Sequence, residues 1–319
     1  MAKHVIVGAG AIGWHTALEL AGHGHQVTVV TRSGSGPEHA SGPAHESIQR
    51  VAIDATDAAA LTAATRGAAA LYNCANPPYH RWAKDWPPLA QALLAAAERT
   101  DAGLVTMGNL YPYGRVHAPM TEQTPQTATG TKGQVRIGMW RDALAAHRAG
   151  RVRATEARAS DFFGPRTGKT SYLSLLVLPK VLHGKHVRMP VGDVDAPHSW
   201  TYVLDVARTL ATLGTDDRSW GELWHVPTSP ARSINQVIAD AARIAGGQAP
   251  KASALPAPLL KVAGVFVPFL GELAETRHQF DHPFVLDSTK AEQTFGIRPT
   301  PWTDALATAL DDIRDTVRA

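Results

Sequence analysis

An α/β fold, built on a doubly wound parallel sheet with a smaller carboxyl-terminal lobe, is predicted by three features of this sequence. Short apolar β-like runs alternate with helical stretches from the amino terminus to Val226, the pattern of parallel strands joined by crossover helices. The first run, His4-Val5-Ile6-Val7, leads straight into Gly8-Ala9-Gly10-Ala11-Ile12-Gly13 and a helical stretch from Trp14 to His23. Third, 319 residues with 44% hydrophobic and 18% charged content describe a globular chain long enough to bury a large core.

Taken in order, the strand at His4 to Val7 and its glycine turn come first, then the helix and a second strand, Gln26 to Val30. Ser33 to His45 is rich in Gly, Ser, Pro and His and reads as a loop. A strand over Ile48 to Ile53, a helix over Thr56 to Arg66 and a strand over Ala70 to Cys74 follow. Next are a helix over Pro88 to Arg99, a strand over Leu104 to Met107, and a long loop from Asn109 to Thr131. A helix from Gly133 to Ala149, a strand from Val152 to Ala159, a helix from Leu204 to Leu213 and a strand from Leu223 to Val226 complete the sheet. Residues 1–165, with 204–226 returning to them, are the dinucleotide-binding domain of this reading. Residues 166–203 and 227–319, richer in proline, form the smaller substrate-binding lobe, set over the strands' carboxyl ends where α/β sheets bind ligands.

The glycine turn carries the first chemistry. Gly8 permits the sharp turn, Gly10 lets the backbone approach a pyrophosphate, and Gly13 lets the helix lie close to the sheet. The helix start, with Ala11 and Ile12, offers free N–H groups and a positive dipole end to phosphate. At the end of the second strand a carboxylate would select NAD. Here the chain reads Thr31-Arg32-Ser33-Gly34, so Arg32 and Ser33 suit the 2′-phosphate of NADP, which is expected in preference to NAD.

Together these segments resemble the extended short-chain dehydrogenase/reductases, the Rossmann-type family of the nucleotide-sugar epimerases and dehydratases, over nearly the whole chain. The resemblance implies that Asp54 and Ala55 lie against the adenine, that Cys74, Ala75 and Asn76 lie beneath the cofactor ribose, and that Arg158 to Pro165, including Phe162, lies beside the nicotinamide. Tyr113-Gly114 and Trp200 to Ala207 match further family segments.

The family's redox step uses a tyrosine and a lysine four residues apart, on one helix face. In one register this chain places Lys132 and Arg136 at those positions, in another Ala128 and Lys132, and neither contains a tyrosine. Asn109 stands where the family's serine is expected. The chain is thus similar to the atypical branch of the family. Three readings stay open: Lys132 or Tyr111 as proton donor, lysine and tyrosine having free pKa values of about 10.4 and about 10; Lys132 and Arg136 as anchors for an anionic substrate without net redox chemistry; or an NADP-binding sensor or scaffold without turnover. Lys132 and Arg136 as solvated helix charges is the plain alternative.

Tyr79, His80, Trp82, Asp161, His198 and Trp200 are the candidate substrate contacts, with packing the alternative for the tryptophans. Asp161 stands where sugar-nucleotide epimerases carry an asparagine, and its charge disfavours a diphosphate; a small organic carbonyl or alcohol is expected. Gly164-Pro165-Arg166-Thr167-Gly168-Lys169-Thr170 imitates a P-loop but is one residue short between its glycines, and Pro165 removes an amide. The single Cys74 excludes an internal disulfide, and scattered histidines imply no metal site. A net charge of +3 without a basic run implies no nucleic acid. The apolar stretch Leu255 to Leu273 is broken by Lys261, prolines and glycines, so it reads as a buried helix rather than a membrane span. No signal peptide precedes the first strand, so a cytoplasmic location is expected, and the resemblance leaves room for a homodimer through the helices flanking the sheet.

Overall fold

The structure is a computed structural model that describes residues 1–36, 46–190, 192–254 and 275–318. The helix expected over Leu255 to Leu273 and most of the loop expected over Ser33 to His45 lie outside the described residues. Two compact units form: Met1–Pro112 with Thr131–Arg158 and Leu204–Val226, and Tyr113–Gly130 with Ala159–Val203 and Pro227–Ala319. Residues 113–130 and 159–165, which the sequence reading kept with the dinucleotide-binding part, fall in the second unit.

The first unit runs β1 (Lys3–Val7), α1 (Ala11–Gly22), β2 (Gln26–Thr31), β3 (Ile48–Ala52), α2 (Ala58–Thr65), β4 (Ala68–Asn73), α3 (Trp82–Thr100), β5 (Gly103–Asn109), α4 (Thr131–Arg148) and β6 (Ala154–Ala159). The second unit opens with β7 (Asp161–Phe163), β8 (Val187–Met189) and β9 (Trp200–Tyr202). The chain returns to the first through α5 (Val203–Leu213) and β10 (Leu223–His225). The seven-stranded parallel sheet has the order β10-β6-β5-β4-β1-β2-β3. β1 pairs with β2 on one side and β4 on the other. The order therefore reverses between β1 and β4, and a doubly wound sheet binds its ligand where the connections diverge in this way. The expected sheet is present. In the second unit β7 pairs with β9 and β8 with β11 (Ala252–Ala254), both parallel. There α6 (Ile234–Ala245) starts at a capping box, Ser233 with Gln236, and the last helix is α7 (Trp302–Arg318).

One helix begins earlier than its sequence suggests. The expected start at Pro88 rested on the preference of proline for a helix's first turn, yet α3 opens at Trp82 and carries Pro87 and Pro88 inside. Trp82, Trp86, Leu89 and Leu93 form one buried stripe, so the apolar face extends a turn and a half ahead of the prolines. The carbonyls that lose a donor belong to Ala83 and Lys84, both exposed, so they are not left buried without a partner.

Beneath the opposite, amino-terminal end of the sheet, His4 on β1 is wholly buried, its Nδ1 3.2 Å from the Tyr72 hydroxyl and its ring edge-on to His25. Burial, and then the neighbouring His25, push its pKa down to about 4. A free histidine titrates near 6.5, so the unfolded chain binds the proton first, and stability is full above that pH and falls as pH drops from there towards 4. His4 alone accounts for a loss of about 2 kcal/mol by pH 5. Urea denaturation at pH 7.5 and pH 5 checks this: His4→Phe is expected to flatten the difference, and an equal pH dependence in wild type and variant would refute it.

Candidate active site

The turn after β1 is tied to the sheet by its own backbone: Gly8 N–H donates to Val30 O at 2.9 Å and Cys74 N–H to Val7 O at 2.9 Å. Gly8 holds φ at +104°, a region closed to ordinary side chains. A Cβ there would also stand 2.8 Å from Cys74 O and 2.9 Å from Ala75 N, so the end of β4 lies directly against the turn. A Cβ at Gly13 would lie 2.0 Å from Gly8 O. Gly10 differs, for a Cβ there meets no protein atom within 4 Å. The space that a side chain would fill lies over the start of α1, whose N-cap, Gly10, provides no side-chain cap and whose first turn holds no acid. Open backbone amides at a positive dipole end, with room above them, fit a pyrophosphate. Behind the turn the Cys74 thiol is pushed up to about 12 by burial, partly offset by a hydrogen bond with Thr16, so it stays a protonated, unreactive wall.

The edge formed by β2 and β3 carries Arg32 and Ser33, on which the expectation of NADP rests. Thr31 pairs with Ala52, which brings the two strand ends together. Arg32 and Ser33 are exposed there, and the Ser33 hydroxyl bonds that of Ser35 at 2.5 Å. Arg50, which the sequence reading missed, reaches across from β3 to donate to Gly36 O at 3.3 Å. Only the strand register reveals it, because it lies 18 positions from Arg32 in the chain. Asp54 accepts from the backbone and hydroxyl of Thr56 at 3.0 and 2.8 Å. These bonds, and then the attraction of Arg32, hold its carboxyl below the usual range. Ala55 packs against the core behind it, and Asn76 is exposed beyond Ala75.

At the carboxyl ends of β4 and β5 the structure gathers Tyr79, Trp82, Asn109, Tyr111, Lys132 and Arg136. Asn109 Oδ1 accepts from the Tyr111 backbone at 3.1 Å and so folds the chain into the turn that carries that ring. The Tyr79 and Tyr111 hydroxyls are 3.2 Å apart, and the Tyr79 ring stacks on Trp82 at 5.0 Å. His80 lies exposed beside Tyr79. Lys132 and Arg136, one turn apart on α4, are not solvated helix charges: they are only 3% and 4% exposed. Lys132 Nζ sits 5.9 Å from the Tyr79 ring centre. The Arg136 guanidinium is held between Trp82 and Trp86, at 4.8 and 4.5 Å, and donates to Met107 O at 3.1 Å. It faces inward, which removes it from direct anchoring of an anion.

Under this group lies a charge pair that sequence reasoning did not find. Glu156 and Arg158 on β6 meet at 2.6 Å, 1% and 0% exposed. Burial lowers the Arg136 pKa, and the attraction of Glu156 opposes that. Gly108 lies close beside them: a Cβ there would stand 2.7 Å from Glu156 Oε1, so a larger residue would press on the Glu156 side chain.

Four candidates belong to the second unit. Phe162 and the Asp161 side chain are partly exposed. His198 is buried: its Nε2 lies 2.8 Å from Asp161 Oδ2, its Nδ1 3.1 Å from Gln279 O, and its ring stacks on Phe280. Trp200 is also buried and donates to Arg232 O at 2.9 Å. Both rings are packed inside, which corrects the expectation that His198 and Trp200 are direct ligand contacts; His198 instead holds the Asp161 carboxylate. Among the described residues no three His, Cys, Asp or Glu side chains gather as a metal site, and no helix is long and apolar enough to cross a membrane.

The model of the NAD-dependent epimerase/dehydratase family matches residues 4–222. The chain belongs to that family. This epimerase/dehydratase-family chain superposes on a UDP-glucose 4-epimerase of Thermotoga maritima, solved with UDP-glucose, at a TM-score of 0.80 and 17% identity over 99% of both chains. It superposes on a UDP-glucuronic acid 4-epimerase of Bacillus cereus, solved with NAD, at 0.78 and 18% identity over 98% of this chain and 99% of the other. A dTDP-glucose 4,6-dehydratase of Bacillus anthracis, also solved with NAD, gives 0.78 and 15% identity over 100% and 98%. At such identities the likeness is one of fold. No curated protein sequence matches the chain. Family and fold together make this an epimerase/dehydratase-type, nicotinamide-cofactor protein of the extended short-chain dehydrogenase/reductase group.

Proposed function

We propose that this chain is an NADP(H)-dependent oxidoreductase, or an epimerase-like enzyme with transient hydride transfer, acting on a small organic carbonyl or alcohol. The observation that carries the cofactor choice is the edge after β2, where Arg32, the paired Ser33 and Ser35 hydroxyls and Arg50 converge while the nearby carboxylate, Asp54, is engaged by Thr56. A 2′-phosphate meets two cations and hydroxyl donors there, which suits charge-assisted hydrogen bonding. Gly8 shapes the turn while its own N–H stays on Val30 O, and the amides at Gly10, Ala11, Ile12 and Gly13 hold the pyrophosphate; Asp54 and Ala55 border the adenine, and Cys74, Ala75 and Asn76 support the ribose. For Phe162 the assignment beside the nicotinamide rests on the family resemblance alone.

The bound nicotinamide supplies or accepts the hydride. This chain's own residues manage the oxygen and its proton. Asn109 sets the turn that presents Tyr111, and Lys132 brings a buried positive charge beside the Tyr79 ring. Arg136 acts as a positioning residue that fixes α4 to α3 and β5. Tyr79 and His80 line the substrate side in the first unit, and Trp82, buried at 1% exposure, supports Tyr79 from behind by stacking rather than touching a substrate as the sequence suggests. Asp161, backed by His198 and Trp200, is the recognition group of the second.

Calorimetry with NADP and NAD tests the reading. Arg32→Ala is expected to weaken NADP at least about tenfold while leaving NAD nearly unchanged, as loss of one charge-assisted bond predicts. Equal losses for the two would overturn the cofactor choice. Absorbance at the nicotinamide band, with NADPH and a panel of aldehydes and ketones, checks turnover. Tight NADPH binding without oxidation of any panel member would favour a non-catalytic sensor instead.

A further inference from the structure

We propose that the Tyr79 and Tyr111 hydroxyls work as one acid–base unit, a phenol pair that shares a proton and replaces the single tyrosine of a conventional redox site. This deepens the oxidoreductase reading and rests on it for its catalytic use. The 3.2 Å separation means that when either phenol ionises the other donates to the phenolate, a charge-assisted bond about twice as strong as the neutral one. Both rings are braced: Tyr111 by its backbone bond to Asn109 Oδ1 and its tilt against Trp82 at 5.9 Å, Tyr79 by stacking on Trp82.

The surrounding charge favours the anion. From α4, Lys132 lies over the Tyr79 ring and Arg136 lies behind Trp82. Negative charge on either phenol stabilises the Arg136 guanidinium, so the guanidinium in turn stabilises either phenolate. From β6, the one buried carboxylate, Glu156, is committed to Arg158. From α3 and the turn before it, Arg81 is paired with Asp85 and His80 is exposed. Lys132 thus faces the pair directly, Arg136 acts on it through space from behind Trp82, and the β6 carboxylate beneath them is already matched. Tyr79 is also 36% exposed, one of three large apolar side chains open to solvent among the described residues. One end of the pair therefore exchanges protons with water while the other stays fixed.

In the reducing direction the balance is simple. As hydride from a reduced nicotinamide reaches the carbonyl carbon, the Tyr111 O–H bond breaks and its proton forms the new O–H of the alcohol. The Tyr79 proton moves to the Tyr111 oxygen, and water reprotonates Tyr79. Oxidation runs the same path backwards.

Spectroscopic titration near 295 nm, on the protein without cofactor or substrate, tests the pair independently of turnover. The wild type is expected to show one tyrosinate forming at least one pH unit below the value of about 10 for free tyrosine. Tyr111→Phe should remove that step, and Tyr79→Phe and Lys132→Met should each move it upwards. Circular dichroism of each variant confirms the fold. A wild type whose accessible tyrosines all titrate near 10 or above, or a low step unmoved by Tyr79→Phe, overturns the proposal. Failure of every carbonyl substrate would refute the oxidoreductase reading and leave the titration result intact.

Discussion

Gly13→Ala is expected to destabilise the fold, whereas Gly10→Ala, three residues away in the same turn, leaves the fold intact and weakens dinucleotide binding. The difference comes from what each new methyl meets. At Gly13 it lies 2.0 Å from Gly8 O, a backbone atom held by the Gly8–Val30 hydrogen bond and unable to swing aside. Overpacking costs about 1–3 kcal/mol in ordinary cores, and a rigid backbone obstacle belongs at the upper end. The roughly 1 kcal/mol that alanine gains over glycine inside a helix offsets only part of this. At Gly10 the methyl meets no protein atom, so stability changes by no more than about 1 kcal/mol, the scale of an N-cap exchange. It does occupy the space above the α1 amides, and NADP affinity should fall by at least about tenfold. Urea midpoints and calorimetry on the two variants decide the matter. A Gly10→Ala protein that binds NADP as the wild type does would remove the cofactor from this turn.

The largest stability effect is expected at Glu156. Glu156→Leu strips the counter-charge from Arg158, which has no exposure, and from Arg136, which has 4%. Breaking a buried ion pair from one side costs about 3–5 kcal/mol, because the surviving charge remains desolvated. Glu156→Leu/Arg158→Leu removes both charges together and should recover much of that loss, since buried pairs replaced by apolar residues are often near neutral. Denaturant midpoints of the two variants give the comparison. If the double variant is less stable than Glu156→Leu, the pair is not the electrostatic unit described.

What the sequence makes legible here is local. The strand, glycine turn and helix at residues 3–22 follow from backbone sterics within a few residues, so the turn can be read directly. The strand ends at Arg32 and Asp54 are readable for the same reason. Contacts that depend on register or helix packing are not. Arg50 joins the cofactor edge only through the pairing of β2 with β3. Arg136 looks like one more helix charge until α4 is packed against α3, some fifty residues away, and its two indoles are in place. Pro87-Pro88 imitates a helix start, and only the buried stripe from Trp82 shows otherwise. Glu156 and Arg158 had a faint signature: two opposite charges at alternate positions of an otherwise small-residue strand, sharing one covered face.

The guanidinium clasped by Trp82 and Trp86 has a consequence for descent. None of the three can be exchanged singly: a shorter cation at 136 leaves a gap between the indoles, and a smaller ring at 82 or 86 uncovers a charge that burial has stripped of water. Lineages diverging from this one should therefore keep or replace positions 82, 86 and 136 as a set, making the arrangement hard to reverse once acquired.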